Sequence, residues 1–80
     1  MTPLEDRLAT ILVEKLGVPA DAISSQATLD DLDIDSLLVV EFALLVKKEF
    51  GVRLADGEIT PALSIANTAQ LLASRGVAAA

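Results

Sequence analysis

The chain contains no cysteine and no histidine. Without cysteine, disulfides, thiolate metal sites and thiol nucleophiles are excluded. Without histidine, the usual general base and a common metal ligand are missing, which leaves the chain poorly equipped for catalysis. Aromatic residues are nearly absent too: Phe42 and Phe50 stand alone. The core must therefore be built from Leu, Ile, Val and Ala, a palette that suits helices packed side by side. No apolar run is long enough to span a bilayer. Met1-Thr2-Pro3 leads into a charged segment rather than an apolar leader, so the expectation is a soluble, cytoplasmic chain with no membrane association.

Basic residues are missing from one long window. Between Lys15 and Lys47 there is none, whereas Asp21, Asp30, Asp31, Asp33, Asp35 and Glu41 all fall there. Those six acids account for the whole net charge of −6, because the six acids and six bases elsewhere cancel. A field of that sign repels nucleic acid and attracts basic protein surfaces. The plainer alternative is a solvated acidic loop. The clustering of the acids around one hydroxyl, that of Ser36, favours the partner reading.

What is present is an apolar fraction of 52% in 80 residues, enough for one small domain over residues 1–80 and too little for a second core. Thr2 can cap a first helix, Pro3 suits its first position, and Glu5 completes a capping-box pattern. Leu4, Leu8, Ile11, Leu12 and Leu16 recur at helical spacing and Gly17 is a stop, giving a helix over 3–16. From Gly17 to Asp35 no helical period is sustained. A connection of that length in a compact domain tends to be functional. Val18, Ile23, Leu29, Leu32 and Ile34 are apolar enough to pin it down, so an ordered crossover loop is expected.

Asp35 is a good N-cap for a second helix over 36–50, which contains no Gly or Pro and ends before Gly51. At about 100° per residue, Val39, Phe42, Val46 and Phe50 form one stripe, the core face. Leu37, Val40 and Leu44 fall on the other side with Ser36, Glu41, Lys47 and Lys48. This helix is apolar around more of its circumference than one contact requires. Two readings of the excess stand level: the loop and a neighbouring helix cover it, or it is an exposed patch for partners. A short, weak helix is expected over 57–63, limited by Pro61. Asn67-Thr68-Ala69-Gln70 resembles another cap and box, starting a last helix over 68–75. The expected fold is all-α: a four-helix bundle of three longer helices and one short one, with a long ordered first loop.

Ser36 is the one side chain that invites chemistry. As a nucleophilic catalyst it needs a base within hydrogen-bond reach. Lys47 lies eleven residues along the same helix, on the order of 16 Å away. The Asp31-x-Asp33-x-Asp35 spacing opens like a calcium-binding EF-hand loop, but the sixth position is Ser36 instead of Gly and the twelfth is Phe42 instead of a bidentate Glu. No metal site is expected. A modification fits better, because a phosphodiester on a first-turn hydroxyl meets free backbone N–H groups and the positive end of the helix dipole. The plain alternative is a capping pair, Asp35-Ser36, with no further role.

Leu32-x-Ile34-Asp35-Ser36-Leu37 followed by Val40-Glu41 resembles the Asp-Ser-Leu attachment motif of acyl carrier proteins. The resemblance extends over almost the whole chain in length, acidity, missing Cys and His, long first loop and helix pattern. It implies a non-catalytic carrier whose Ser36 bears 4′-phosphopantetheine, transferred from coenzyme A by a magnesium-dependent phosphopantetheinyl transferase. The arm's thiol would hold acyl groups as thioesters. The resemblance also implies docking of acyl-loading, ketosynthase or acyltransferase enzymes with basic patches through Asp33, Asp35, Leu37, Leu38, Val40, Glu41 and Leu44, by a chain acting as a monomer. Fatty-acid-synthesis carriers usually have an acid after Asp-Ser-Leu and acids late in the second helix; here Leu38, Lys47 and Lys48 stand there. The chain is therefore more similar to discrete carriers of polyketide or related specialised pathways, with a primary fatty-acid carrier as the alternative. Peptidyl carriers typically have Gly-Gly before a variable residue and Ser-Leu, and Asp33-Ile34 departs from that, leaving an aminoacyl or peptidyl carrier as a further alternative.

Overall fold

Caps and stops set the helices. In the computed structural model, which describes residues 1–77, α1 runs Pro3–Leu16, α2 Ser36–Phe50 and α3 Ile65–Ser74. Thr2 Oγ1 accepts the Glu5 N–H at 3.1 Å, Asp35 Oδ1 the Leu38 N–H at 2.9 Å, and Ser64 Oγ the Asn67 N–H at 3.0 Å. Each satisfies one N–H that a helix start otherwise leaves unpaired. Gly17 and Gly51 end α1 and α2 in the left-handed conformation, with φ of 73° and 64°. A side chain there would be strained, which is why glycine serves.

α1 packs against both α2 and α3. Leu4, Leu8, Ile11 and Leu12 bury their stripe against Val39, Phe42 and Val46 of α2 and against Ile65, Ala69 and Leu72 of α3. Phe50, expected on the α2 core stripe, is only half-buried; its ring lies 4.4 Å under the Arg7 guanidinium. The last turn of α2 thus packs one side of the Phe50 ring against the core and carries a cation over its face.

The connection between α1 and α2 contains two single 3₁₀ turns, Ala20–Ala22 and Asp30–Leu32. It is stitched down by hydrogen bonds to distant chain. Leu29 N–H donates to the Leu63 carbonyl and Asp30 N–H to that of Pro61, both at 2.9 Å, while Ile65 N–H donates to the Ala27 carbonyl at 3.1 Å. A single antiparallel bridge pairs Thr28 with Ser64. Leu29, Leu32 and Ile34 are buried beneath this seam, as is Val18; Ile23 is half-buried.

Three expectations need correction. The short helix over 57–63 does not form, and the segment runs as turns. Its backbone is spent elsewhere: the Pro61 and Leu63 carbonyls accept the N–H groups of Asp30 and Leu29 from the long loop. Gly57, at φ 85°, also breaks the helical path. The fold therefore has three α-helices, not four, among the described residues. The last helix begins at Ile65, three residues before its expected start, because Ser64 and not Asn67 is the cap. The Thr2–Glu5 box is only half made. Glu5 Oε1 instead accepts the Ser25 hydroxyl at 2.5 Å, tying the loop to the base of α1.

Candidate functional site

Ser36 is the first residue of α2, and Asp35 just before it does the capping. The Asp35 side chain occupies the Leu38 amide, so the Ser36 hydroxyl is not needed as a cap. No described side-chain hydrogen bond involves Ser36 Oγ, and the residue is exposed. The Ser36 and Leu37 amides lie in the first turn, where no preceding helical carbonyl serves them. A phosphodiester on Oγ would have these two donors and the helix dipole beside it. The hydroxyl is free, exposed and adjacent to anion-favouring backbone.

The approach to Ser36 is a sharp corner. Thr28 and Asp31 cap each other: the Asp31 N–H donates to Thr28 Oγ1 at 3.0 Å and the Thr28 N–H to Asp31 Oδ2 at 3.1 Å. Asp33 then turns left-handed at φ 60°, the one non-glycine residue among those described to do so. Aspartate tolerates that conformation better than most residues. Ile34 follows, buried, with its N–H on the Leu29 carbonyl at 2.9 Å. These bonds hold Asp35 and Ser36 at a defined place on the surface. Two of the three carboxylates in the EF-hand-like spacing, those of Asp31 and Asp35, accept backbone amides. Among the described residues no group of three or more His, Cys, Asp or Glu could hold a metal.

Two strips of surface run along α2 from Ser36. Leu37 is 77% exposed, and Val40 and Leu44 are each 59% exposed. Leu37, Glu41 and Leu44 fall on one face, with Asp33 and Asp35 exposed at its upper end. Leu38 does not join that face fully, being half-buried and packed against the core. Beside this strip, Ser36, Val40, Ala43 and Lys47 line a groove of about 540 Å³ together with Val39 and Leu44. Its opposite wall is the irregular segment after α2, through Leu54, Ile59, Thr60 and Pro61. A volume of that size lies in the range of small-molecule sites.

Sequence reasoning did not find this groove. Leu54 and Ile59 were legible only as apolar residues in a loop and a weak helix. The usable signal was the excess apolar arc of α2, which the structure divides between an open face and a groove wall.

A free hydroxyl at a helix start, an acidic corner and an apolar groove beside it meet at one end of α2. The family of phosphopantetheine attachment sites matches residues 6–72. A "Polyketide-8 synthase acyl carrier protein 2" from Streptomyces avermitilis is 33% identical over 72 residues, which is 89% of this chain and 83% of that protein. The chain belongs to the phosphopantetheine-attachment family, among its acyl carrier proteins. The group that defines this family is 4′-phosphopantetheine, and the free Ser36 hydroxyl with its neighbouring amides fits it.

Proposed function

We propose that residues 1–80 form a single carrier domain that holds acyl intermediates on a 4′-phosphopantetheine arm on Ser36 and delivers them to polyketide or related biosynthetic enzymes. The observation that carries this reading is the Ser36 hydroxyl, exposed and without a side-chain hydrogen-bond partner among the described residues, beside a largely apolar groove of about 540 Å³. In the attachment step Ser36 Oγ attacks the pantetheine-side phosphorus of the coenzyme A diphosphate, giving up its proton to the transferase's base and forming a phosphoester bond as the P–O–P anhydride bond breaks. Adenosine 3′,5′-bisphosphate leaves, and a phosphopantetheinyl transferase provides the catalysis. The arm, when bound, supplies the terminal thiol that this cysteine-free chain lacks, and acyl groups are held there as thioesters.

The chain's own residues position and advertise. Asp35 sets the start of α2, and Asp33, Asp35 and Glu41 place negative charge around Ser36. Leu37, Val40 and Leu44 offer apolar contact to enzymes with basic docking patches, an arrangement that gives both encounter rate and register. Leu38 contributes less, because it is half-buried against the core. The domain acts as a cytoplasmic monomer. Among the described residues no helix is long and apolar enough to cross a membrane. The name of the Streptomyces relative supports the polyketide assignment, as do Leu38, Lys47 and Lys48 where fatty-acid carriers usually have acids.

The test is incubation with a broad-specificity phosphopantetheinyl transferase and coenzyme A, followed by intact mass measurement. The wild-type chain gains one phosphopantetheine, and Ser36→Ala gains none while keeping its helical circular dichroism. A wild-type chain that stays unmodified would sink the proposal.

A further inference from the structure

Lys47 stands apart from the other charges of the chain. It lies on the same stripe of α2 as Ser36, Val40 and Ala43, eleven, seven and four residues before it, and so faces the groove. Eleven residues of helix put it about 16 Å along the axis from Ser36. It is half-buried, whereas its neighbour Lys48 is exposed. The ion pairs among the described residues are Arg7–Glu49 and Arg75–Glu58, and neither involves Lys47. Asp56 lines the groove on the opposite wall without pairing with it. Apart from Ser36, Asp56 and Thr60, the side chains that share the groove lining with Lys47 are apolar, Ala43, Leu44, Leu54 and Ile59 among them.

A plain alkyl chain laid in this groove would take water from the ammonium and return nothing to it, an unfavourable exchange. A chain bearing a carbonyl oxygen would give it an acceptor, in surroundings of lower dielectric than water, where such a bond is stronger. We propose that Lys47 is a specificity-determining residue of the groove, favouring oxygenated acyl chains over fully reduced ones at the end remote from Ser36. This rests on the reading of Ser36 as the attachment point, since the groove is filled from an arm rooted there. The competing role is purely apolar: the lysine stem lines the wall while its ammonium stays in water. Lys47→Met separates the two, because it keeps the stem and removes the charge.

The experiment loads the full chain with octanoyl- or 3-oxo-octanoyl-phosphopantetheine from the corresponding coenzyme A thioesters. Protection of each thioester is read as its rate of cleavage by hydroxylamine relative to the same thioester on free pantetheine. Amide shifts of Val40, Ala43, Leu54 and Ile59 report whether the cargo occupies the groove. The expected result is that Lys47→Met lowers protection of the 3-oxo cargo about threefold to tenfold, in keeping with a charge-assisted hydrogen bond that stays partly hydrated. Octanoyl protection is unchanged or higher, and Lys47→Arg retains the preference. Equal protection of both cargoes in the wild type, or an equal loss for both in Lys47→Met, overturns the proposal. A chain that accepts neither cargo at Ser36 overturns the carrier reading as well, whereas a loaded chain without the Lys47 effect overturns this inference alone.

Discussion

Glu58 meets Arg75 with both carboxylate oxygens, so the irregular wall of the groove is fastened to the C-terminal end of α3. Glu58 Oε2 also accepts the Ala55 N–H at 2.6 Å, which folds the segment 55–58 back on itself. One side chain thus shapes the turn and anchors it. Below it, Leu54 and Ile59 are buried and hold the same segment to the core.

That arrangement predicts unequal effects of two truncations. Arg75→Ala removes a partly exposed ion pair and should cost about 0–1 kcal/mol. Glu58→Ala also leaves the Ala55 amide without its acceptor and should cost more, by about 1 kcal/mol. Glu58→Gln keeps an acceptor for that amide and should cost no more than Arg75→Ala. Urea unfolding of the three variants checks the order; equal losses for Glu58→Ala and Arg75→Ala would contradict it.

At Asp35, two roles can be separated. Asp35→Ala removes the cap of α2 and should lower stability by about 1 kcal/mol. Asp35→Asn keeps the cap and should leave the unfolding midpoint nearly unchanged, while slowing modification of Ser36 if the negative charge guides the transferase. Thermal denaturation alongside a time course of phosphopantetheine transfer reads both effects.

The Ser25–Glu5 contact should be worth more than its position in a loop suggests. Glu5 is 8% exposed, and its carboxylate accepts the Ser25 hydroxyl. Ser25→Ala takes away that donor and should cost about 1–3 kcal/mol, the range for stranding a buried polar group. Hydrogen exchange should show faster opening at Ala66, whose N–H donates to the Ser25 carbonyl. A variant as stable as wild type would mean that water replaces the hydroxyl freely.

The two faces of α2 should respond in opposite ways. Phe42 is 1% exposed, and Phe42→Ala should cost about 3–5 kcal/mol, a large part of the stability of a small domain. Leu37→Ala should change stability by less than about 0.5 kcal/mol. Under the docking proposal it weakens association with a partner ketosynthase or transferase. Calorimetric unfolding and surface-plasmon titration distinguish the pair.

The contrast between α2 and the segment that follows it shows what was legible before folding. The α2 boundaries follow from Asp35 and Gly51, whose effects act within one turn of chain, and with them the place of Ser36 as the first residue of the helix. The same locality misled at Thr2 and Glu5. The box pattern was present, but Ser25, twenty residues away, took the carboxylate. It misled again at Asn67, where a respectable cap lost to Ser64, whose position lets Ile65 bury and lets Thr68 Oγ1 bond the Ser64 carbonyl at 2.9 Å.

By itself, then, the sequence determined α1, α2, the core stripe through Phe42 and Val46, and the place of Ser36 at the start of α2, because caps, periodicity and composition act over a few residues. Only the tertiary structure decided that residues 57–63 run as turns, that α3 starts at Ile65, and that the second apolar arc of α2 is part exposed face and part groove wall. Each of those outcomes depends on hydrogen bonds or contacts between segments far apart in the chain. The carbonyls of Pro61 and Leu63 were claimed by the loop before α2, and a backbone carbonyl directed across the fold is no longer directed along a helix.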